Sequence, residues 1–125
     1  MSNVSIRYIV DDVDAAITFY TENLGFEVEM HPAPGFAALK RESLRLLLNV
    51  PGAGGAGASM PDGSEPKPGG WNRFQIEVEN LKTTVGELKR TGASFRSEII
   101  EGKGGKQILL EDPSGNPIEL FESTR

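Results

Sequence analysis

At 125 residues the chain has the length of one small domain, enough to bury roughly two-thirds of the surface its unfolded form exposes. Its 13 Lys and Arg against 18 Asp and Glu leave a formal charge of −5, spread along the chain, which argues against nucleic acid because phosphate binding needs a basic stripe. With no Cys, disulfides, thiolate metal sites and a Cys nucleophile are excluded. No apolar run reaches the roughly 18 residues of a membrane span, and Met1 to Tyr8 lack a basic n-region, so no membrane partner and a cytoplasmic location are expected.

Val4 to Val10 is short, rich in β-branched and aromatic residues, and ends at an Asp pair, which reads as a strand running into a helix start. Asp12 is the expected N-cap, Val13, Ala16, Ile17, Tyr20 and Leu24 recur at helical spacing, and Gly25 stands where the helix stops. Phe26 to Met30 reads as a strand and His31 to Gly35 as a loop. Phe36 to Lys40 with Leu44 to Val50 forms a hairpin turning at Arg41, Glu42 and Ser43. This is a βαβββ module over residues 1–50.

From Pro51 to Gly70 the composition changes to Gly, Ala, Ser and Pro, the signature of a linker that is either passive or a lid over a cavity. A second module spans residues 71–125. Asn72 to Glu79 reads as its first strand, Asn80 as its N-cap, and Leu81, Val85 and Leu88 as its helical stripe, ending at Thr91-Gly92. Phe95 to Glu101 is strand-like, Gly102 to Gly105 a turn, Lys106 to Leu110 a strand, Asp112 to Asn116 a turn and Pro117 to Phe121 the last strand.

Setting Val10-Asp-Asp12 against Val78-Glu-Asn80 also places Ile17 on Val85 and Tyr20 on Leu88, so the halves read as duplicates. The fold expected is α+β, one domain over residues 1–125, with two tandem βαβββ modules forming a curved mixed sheet around a cavity and helices on the outer face. The cavity is the expected seat of function.

Three segments resemble the vicinal oxygen chelate superfamily, which includes glyoxalase I, bleomycin-resistance and fosfomycin-resistance proteins and extradiol dioxygenases. They are Val10-Asp-Asp-Val-Asp-Ala-Ala-Ile-Thr-Phe-Tyr20, Leu24-Gly-Phe26 and Glu111-Asp-Pro-Ser-Gly-Asn-Pro-Ile-Glu-Leu-Phe121. The last is the most specific, since a tight Asp-Pro-Ser-Gly-Asn turn leading into an alternating strand is seldom assembled by chance. The resemblance implies a divalent metal held by His, Gln or Glu from the first and last strand of each module. By register those positions here are Ser5, Leu47, Arg73 and Glu119.

Only Glu119 of that set is a good ligand, whereas a catalytic metal wants about three protein donors. His31 is expected to be a loop residue. No cofactor is therefore expected, and a divalent metal is disfavoured unless Gln75 or Glu77 is recruited. The register has a physical check: Ile6, Tyr8 and Val10, with Phe74, Ile76 and Val78, should face the helices, turning Ser5, Arg7, Arg73, Gln75 and Glu77 away from them.

The expected pocket is mixed: Arg7, Arg45, Leu47, Trp71, Gln75, Glu77 and Phe121 for ligand binding, with Arg73 and Glu119 as the catalytic pair if there is chemistry. Arg73 and Glu119 are either an ion pair standing where the metal would be, or a purely structural pair. Trp71 and Phe36 either stack on a planar ligand or cap the core.

Three functions follow. The first is a metal-independent small-molecule binding protein of the bleomycin-resistance kind, sequestering a drug or metabolite. The second is a glyoxalase-like lyase or isomerase, or a dioxygenase, acting next to a carbonyl with Glu119 as base or metal ligand. The third is an interaction module with a filled cavity. The resemblance also implies a homodimer.

Overall fold

The computed structural model describes residues 4–124, and the chain divides into two compact units at Gly69 and Gly70. The first unit contains β1 (Ser5–Ile9), α1 (Val13–Leu24), β2 (Glu27–Ala33), β3 (Phe36–Arg41) and β4 (Leu44–Asn49). Its four strands form a mixed sheet in the order β1-β4-β3-β2, in which β1 runs parallel to β4 and the other pairs are antiparallel.

Helix α1 begins where Asp12 accepts a hydrogen bond from the Ala15 N–H at 3.0 Å. It ends at Gly25, whose φ of 72° is the left-handed cap conformation that glycine adopts without a Cβ penalty. Its buried face is Val13, Ala16, Phe19, Tyr20 and Leu24, so Phe19 takes the place expected for Ile17, which is half-buried. Tyr20 organises the cluster, meeting Phe19 and Phe26 edge to face at 5.2 and 5.5 Å between ring centroids. On the sheet, Tyr8, Ala37, Leu39, Leu46 and Leu48 are buried while Ser5 and Arg7 are exposed, the alternation expected from the pleat.

One sequence expectation is corrected in this unit. His31 does not lie in a loop: β2 continues through His31 and Pro32 to Ala33, leaving only Pro34 and Gly35 as the turn. The strand is exposed along its whole length at the sheet edge, and its register against β3 shifts between Val28 and Met30 and again between Met30 and Ala33. An edge strand with bulges tolerates a proline, because the missing N–H costs no ladder bond.

Residues 51–70 form turns and bends without helix or strand. Gly57 is required there, since a side chain would collide with the Val50 carbonyl and the Ala53 backbone. The Asp62 carboxylate accepts hydrogen bonds from the Ser64 hydroxyl at 2.7 Å and the Ser64 N–H at 2.9 Å, which hold its pKa below the usual value.

The second unit contains β5 (Gln75–Glu77), α2 (Leu81–Arg90), β6 (Ser94–Phe95), β7 (Ile100–Glu101), β8 (Gly105–Glu111) and β9 (Pro117–Ser123). Its sheet runs β5-β9-β8-β6, with β7 also paired to β8, and β5 is parallel to β9 as β1 is to β4. The duplicated plan extends to the caps, since Asn80 accepts from the Thr83 N–H at 3.0 Å just as Asp12 accepts from Ala15. Leu81, Val85 and Leu88 are buried as their spacing predicts.

Two expected strands are shorter than their sequences suggest. The Asn72 to Glu79 strand contracts to β5, and the Phe95 to Glu101 stretch breaks into β6 and β7 around Ser97 and Glu98. There the Ser97 hydroxyl donates to the Glu98 carbonyl at 2.9 Å, a local bond that competes with the sheet ladder.

No helix among the described residues is long and apolar enough to cross a membrane.

The turn before β9 is built by one carboxylate. Asp112 Oδ1 accepts from the Ser114 and Asn116 N–H groups at 2.9 Å each, and Oδ2 accepts from the Asn116 amide at 3.0 Å. Asp112 and Asn116 are each only 4% exposed, so these bonds replace water that has been removed. Replacing Asp112 with Ala strands those donors and is expected to cost about 2–4 kcal/mol in urea unfolding.

Candidate functional site

In the second unit, the pleat sends Ile76, Ile108, Leu110, Ile118 and Leu120 to the buried side. The opposite face carries Gln75, Glu77, Gln107, Leu109, Glu111, Glu119 and Phe121, because β5 pairs Gln75 with Glu119 and Glu77 with Phe121, and β8 pairs Gln107 with Phe121 and Leu109 with Glu119. Arg73 lies just before β5 and reaches this face.

Glu119 is the centre of the arrangement. Arg73 Nε and Nη2 approach its Oε1 at 3.0 and 2.9 Å, and Gln75 Nε2 donates to its Oε2 at 2.7 Å. The remaining Arg73 nitrogen, Nη1, donates to the Trp71 carbonyl at 3.2 Å. The Glu119 side chain is 16% exposed and that of Arg73 30%, so the pair is only partly desolvated. Phe121 packs over Gly105, where a Cβ would sit 2.9 Å from its ring. Next to it in register is Gln107, whose Oε1 is buried and, among the described residues, has no hydrogen-bond partner.

Trp71 is 69% exposed, and the Arg96 guanidinium stacks 4.7 Å from its ring. Arg96 is itself pinned: Nε donates to Glu111 at 2.8 Å, Nη1 to the Gly70 carbonyl at 2.7 Å and Nη2 to the Gly115 carbonyl at 2.9 Å. Glu77 stands apart from the Glu119 network, in an acidic depression of about 380 Å³ that it shares with Glu79 and Glu122.

In the first unit, the face opposite the buried one carries Ser5, Arg7, Arg45 and Leu47, with Ser5 beside Arg45 and Arg7 beside Leu47. Both arginines are already engaged. Arg7 Nε donates to Oδ1 of the buried Asn49 at 2.9 Å, and Arg45 forms an ion pair with Glu29 at 2.7 Å and reaches the Ser5 hydroxyl at 3.4 Å. Glu29 meets Arg45 because it is the extra residue of the bulge between Val28 and Met30.

The structure therefore joins Arg73, Gln75 and Glu119 in one network and sets Phe121 beside it in register, while Arg7, Arg45 and Leu47 share a face in the other unit. Sequence reasoning missed Asn49, Glu29, Arg96 and Gln107. Gln107 was accessible from the alternation of Ile108 and Leu110; Arg96 and Glu29 were not, because their partners come from other strands and turns.

The residues do not fit the metal that the fold implies. A hydroxyl, an alkyl chain and a guanidinium stand at three of the four register positions, and the one carboxylate has both oxygens hydrogen-bonded to Arg73 and Gln75. Among the described residues no three His, Asp or Glu side chains form a metal-holding group.

The family model described as the Glyoxalase/Bleomycin resistance protein/Dioxygenase superfamily matches residues 4–120, and the chain belongs to that superfamily. A probable chloroplastic lactoylglutathione lyase of Arabidopsis thaliana is 29% identical over 94% of this chain, which spans only 34% of that protein's length. Among solved structures, a superfamily member from Sphaerobacter thermophilus superposes with a TM-score of 0.76 at 23% identity, covering 98% of both chains. TnmS3, an antibiotic binding protein from a Streptomyces species, superposes with a TM-score of 0.72 at 21% identity over 99% of this chain and 98% of its own. Such identities establish a shared fold and leave function to the site.

Trp71 is the sole tryptophan, so its spectrum reports on the Arg96 stack. Arg96→Ala is expected to alter the near-ultraviolet circular dichroism of Trp71 and, through the lost carbonyl and carboxylate bonds, to destabilise the chain by about 2–3 kcal/mol.

Proposed function

We propose that the chain is a metal-independent small-molecule binding protein that sequesters a drug or metabolite. The observation that carries this reading is the Arg73–Glu119–Gln75 network, which occupies both oxygens of the only strong donor at the superfamily's metal-ligand positions. Arg73 and Glu119 orient the ligand. Phe121 and the exposed, pre-oriented Trp71 offer apolar area at low entropic cost. Arg7, Arg45 and Leu47 present the equivalent surface of the first unit. The antibiotic-binding relative of like fold supports the same reading.

A second reading draws on the lactoylglutathione lyase relative: Glu119 removes a proton next to a carbonyl while Arg73 stabilises the resulting oxyanion. The three hydrogen bonds that Glu119 accepts from Arg73 and Gln75 weigh against it, since they leave only one of about four carboxylate lone-pair sites, on Oε2, for a substrate proton. Turnover of lactoylglutathione that Glu119→Gln abolishes would replace the first reading with this one.

The protein is expected to purify without stoichiometric metal and to show no thermal shift with Zn, Ni, Mn or Fe(II). A metal at a hundred times its Kd would stabilise the fold by about 2.7 kcal/mol, so a shift that Glu119→Ala removes overturns the proposal. The proposal includes a cytoplasmic homodimer; sedimentation showing only monomer at micromolar concentration removes the dimer from it.

A further inference from the structure

Helix α2 has a feature that its own packing does not explain. Gly86 lies in the middle of the helix, among the least favourable places for glycine. Its φ is not positive, so the backbone admits any L residue. A Cβ built there meets no heavy atom within 4 Å outside its chain neighbours and the helix backbone, so no close packing forbids a side chain. Nothing within this unit demands glycine at the position.

What lies over it is a groove. Lys82, Val85, Gly86 and Lys89 form one stripe of α2, and together with Glu98, Ile99 and Ile108 they line a space of about 490 Å³. That size falls in the range of small-molecule sites, about 300–1,000 Å³. The floor is apolar: Ile108 and Val85 are buried, Ile99 is half-buried, and the missing side chain at Gly86 keeps the middle open. The groove opens on the helix side of the sheet and shares no residue with the Glu119 network.

Its rim carries charge of mostly one sign. Lys82 and Lys89 stand two turns apart on the helix, and among the described residues neither ammonium has a carboxylate oxygen within 4.0 Å, Glu98 included. The Lys89 nitrogen lies 6.0 Å from the centroid of the Phe95 ring. In a chain of net charge −5, two lysines without ion pairs flanking an apolar floor are the complement of a molecule with an apolar body and an anionic head.

We propose that this groove is a second ligand site, taking a small amphipathic anion such as a medium-chain carboxylate. The apolar chain lies over Gly86 against Val85, Ile99 and Ile108, and the head group pairs with Lys82 or Lys89. The site is independent of the Arg73–Glu119 network and stands or falls without it.

The test uses the full chain with decanoate, and decanol as the neutral probe, followed by calorimetry. Decanoate is expected to bind at least tenfold more tightly than decanol, with an affinity that falls as salt rises. Gly86→Leu, which fills the groove, is expected to weaken decanoate at least tenfold without lowering Tm. Gly86→Ala is expected to raise Tm by a few degrees while weakening binding, a pairing that a purely structural glycine would not produce. Lys82→Gln with Lys89→Gln in one chain should bring decanoate down to the affinity of decanol. Arg73→Ala and Glu119→Ala should leave decanoate binding unchanged. Decanoate binding untouched by Gly86→Leu, equal affinity for decanol, or no binding at all would overturn the proposal. So would a dimer that Gly86→Leu dissociates, since the groove would then be covered by a second copy.

Discussion

Each unit closes by laying its first strand parallel to its last, and much else follows from that pairing. Parallel neighbours cannot be joined by a tight turn, so the chain between them must leave the sheet and return, and in both units the excursion begins with a helix capped by Asp12 or Asn80. The helix covers one face, and the two-residue pleat then fixes what each strand can carry: leucine, isoleucine and tyrosine toward the helix, arginine, glutamine and glutamate away from it. The β5–β9 pairing is also what brings Arg73 and Gln75 to Glu119 across more than forty residues of sequence.

The Arg73–Glu119 contact illustrates how the same fold can present a guanidinium–carboxylate pair on the face where the superfamily resemblance implies metal ligands. A carboxylate on a partly covered sheet face needs donors, and in this chain a guanidinium and an amide supply them. Such a pair recovers little net stability once desolvation is counted. Its consequence is positional: the two carboxylate oxygens are fixed in place beside a guanidinium that stays partly exposed. The first unit treats its arginines differently. Arg7 is bound to a buried asparagine and Arg45 to a bulge glutamate, so the two faces, although built on one plan, present different chemistry.

The legible parts were those governed by local rules. Caps at Asp12 and Asn80, the stop at Gly25, the Asp112 to Asn116 turn and the helix stripe of Leu81, Val85 and Leu88 are all decided within a few residues, and the structure has them where the sequence puts them. The errors fell where a partner strand decides. His31 and Pro32 read as a loop from their own chemistry, yet an edge position with bulges let β2 run through them. Phe95 to Glu101 reads as one strand by composition, yet β8 pairs only with its two ends, Leu110 with Phe95 and Gln107 with Ile100, and the residues between them bulge out of the ladder. On the site face, alternation alone placed Gln75 and Glu119 on one side, whereas the Gln107 Oε1, without a hydrogen-bond partner among the described residues, is evident only from the packed structure.

By itself, then, the sequence determined the duplicated βαβββ plan, the faces of the strands and the poverty of metal donors, because each depends on residue type and on a short repeat distance. The tertiary structure decided which polar groups meet. Glu29 with Arg45, Arg96 with Trp71, Glu111 and Gly115, and the open stretch over Gly86 all depend on where separate segments stop, bulge and turn. No periodicity carries that information, since a hydrogen bond between distant residues is set by displacements of an ångström or less in elements whose positions the whole core fixes.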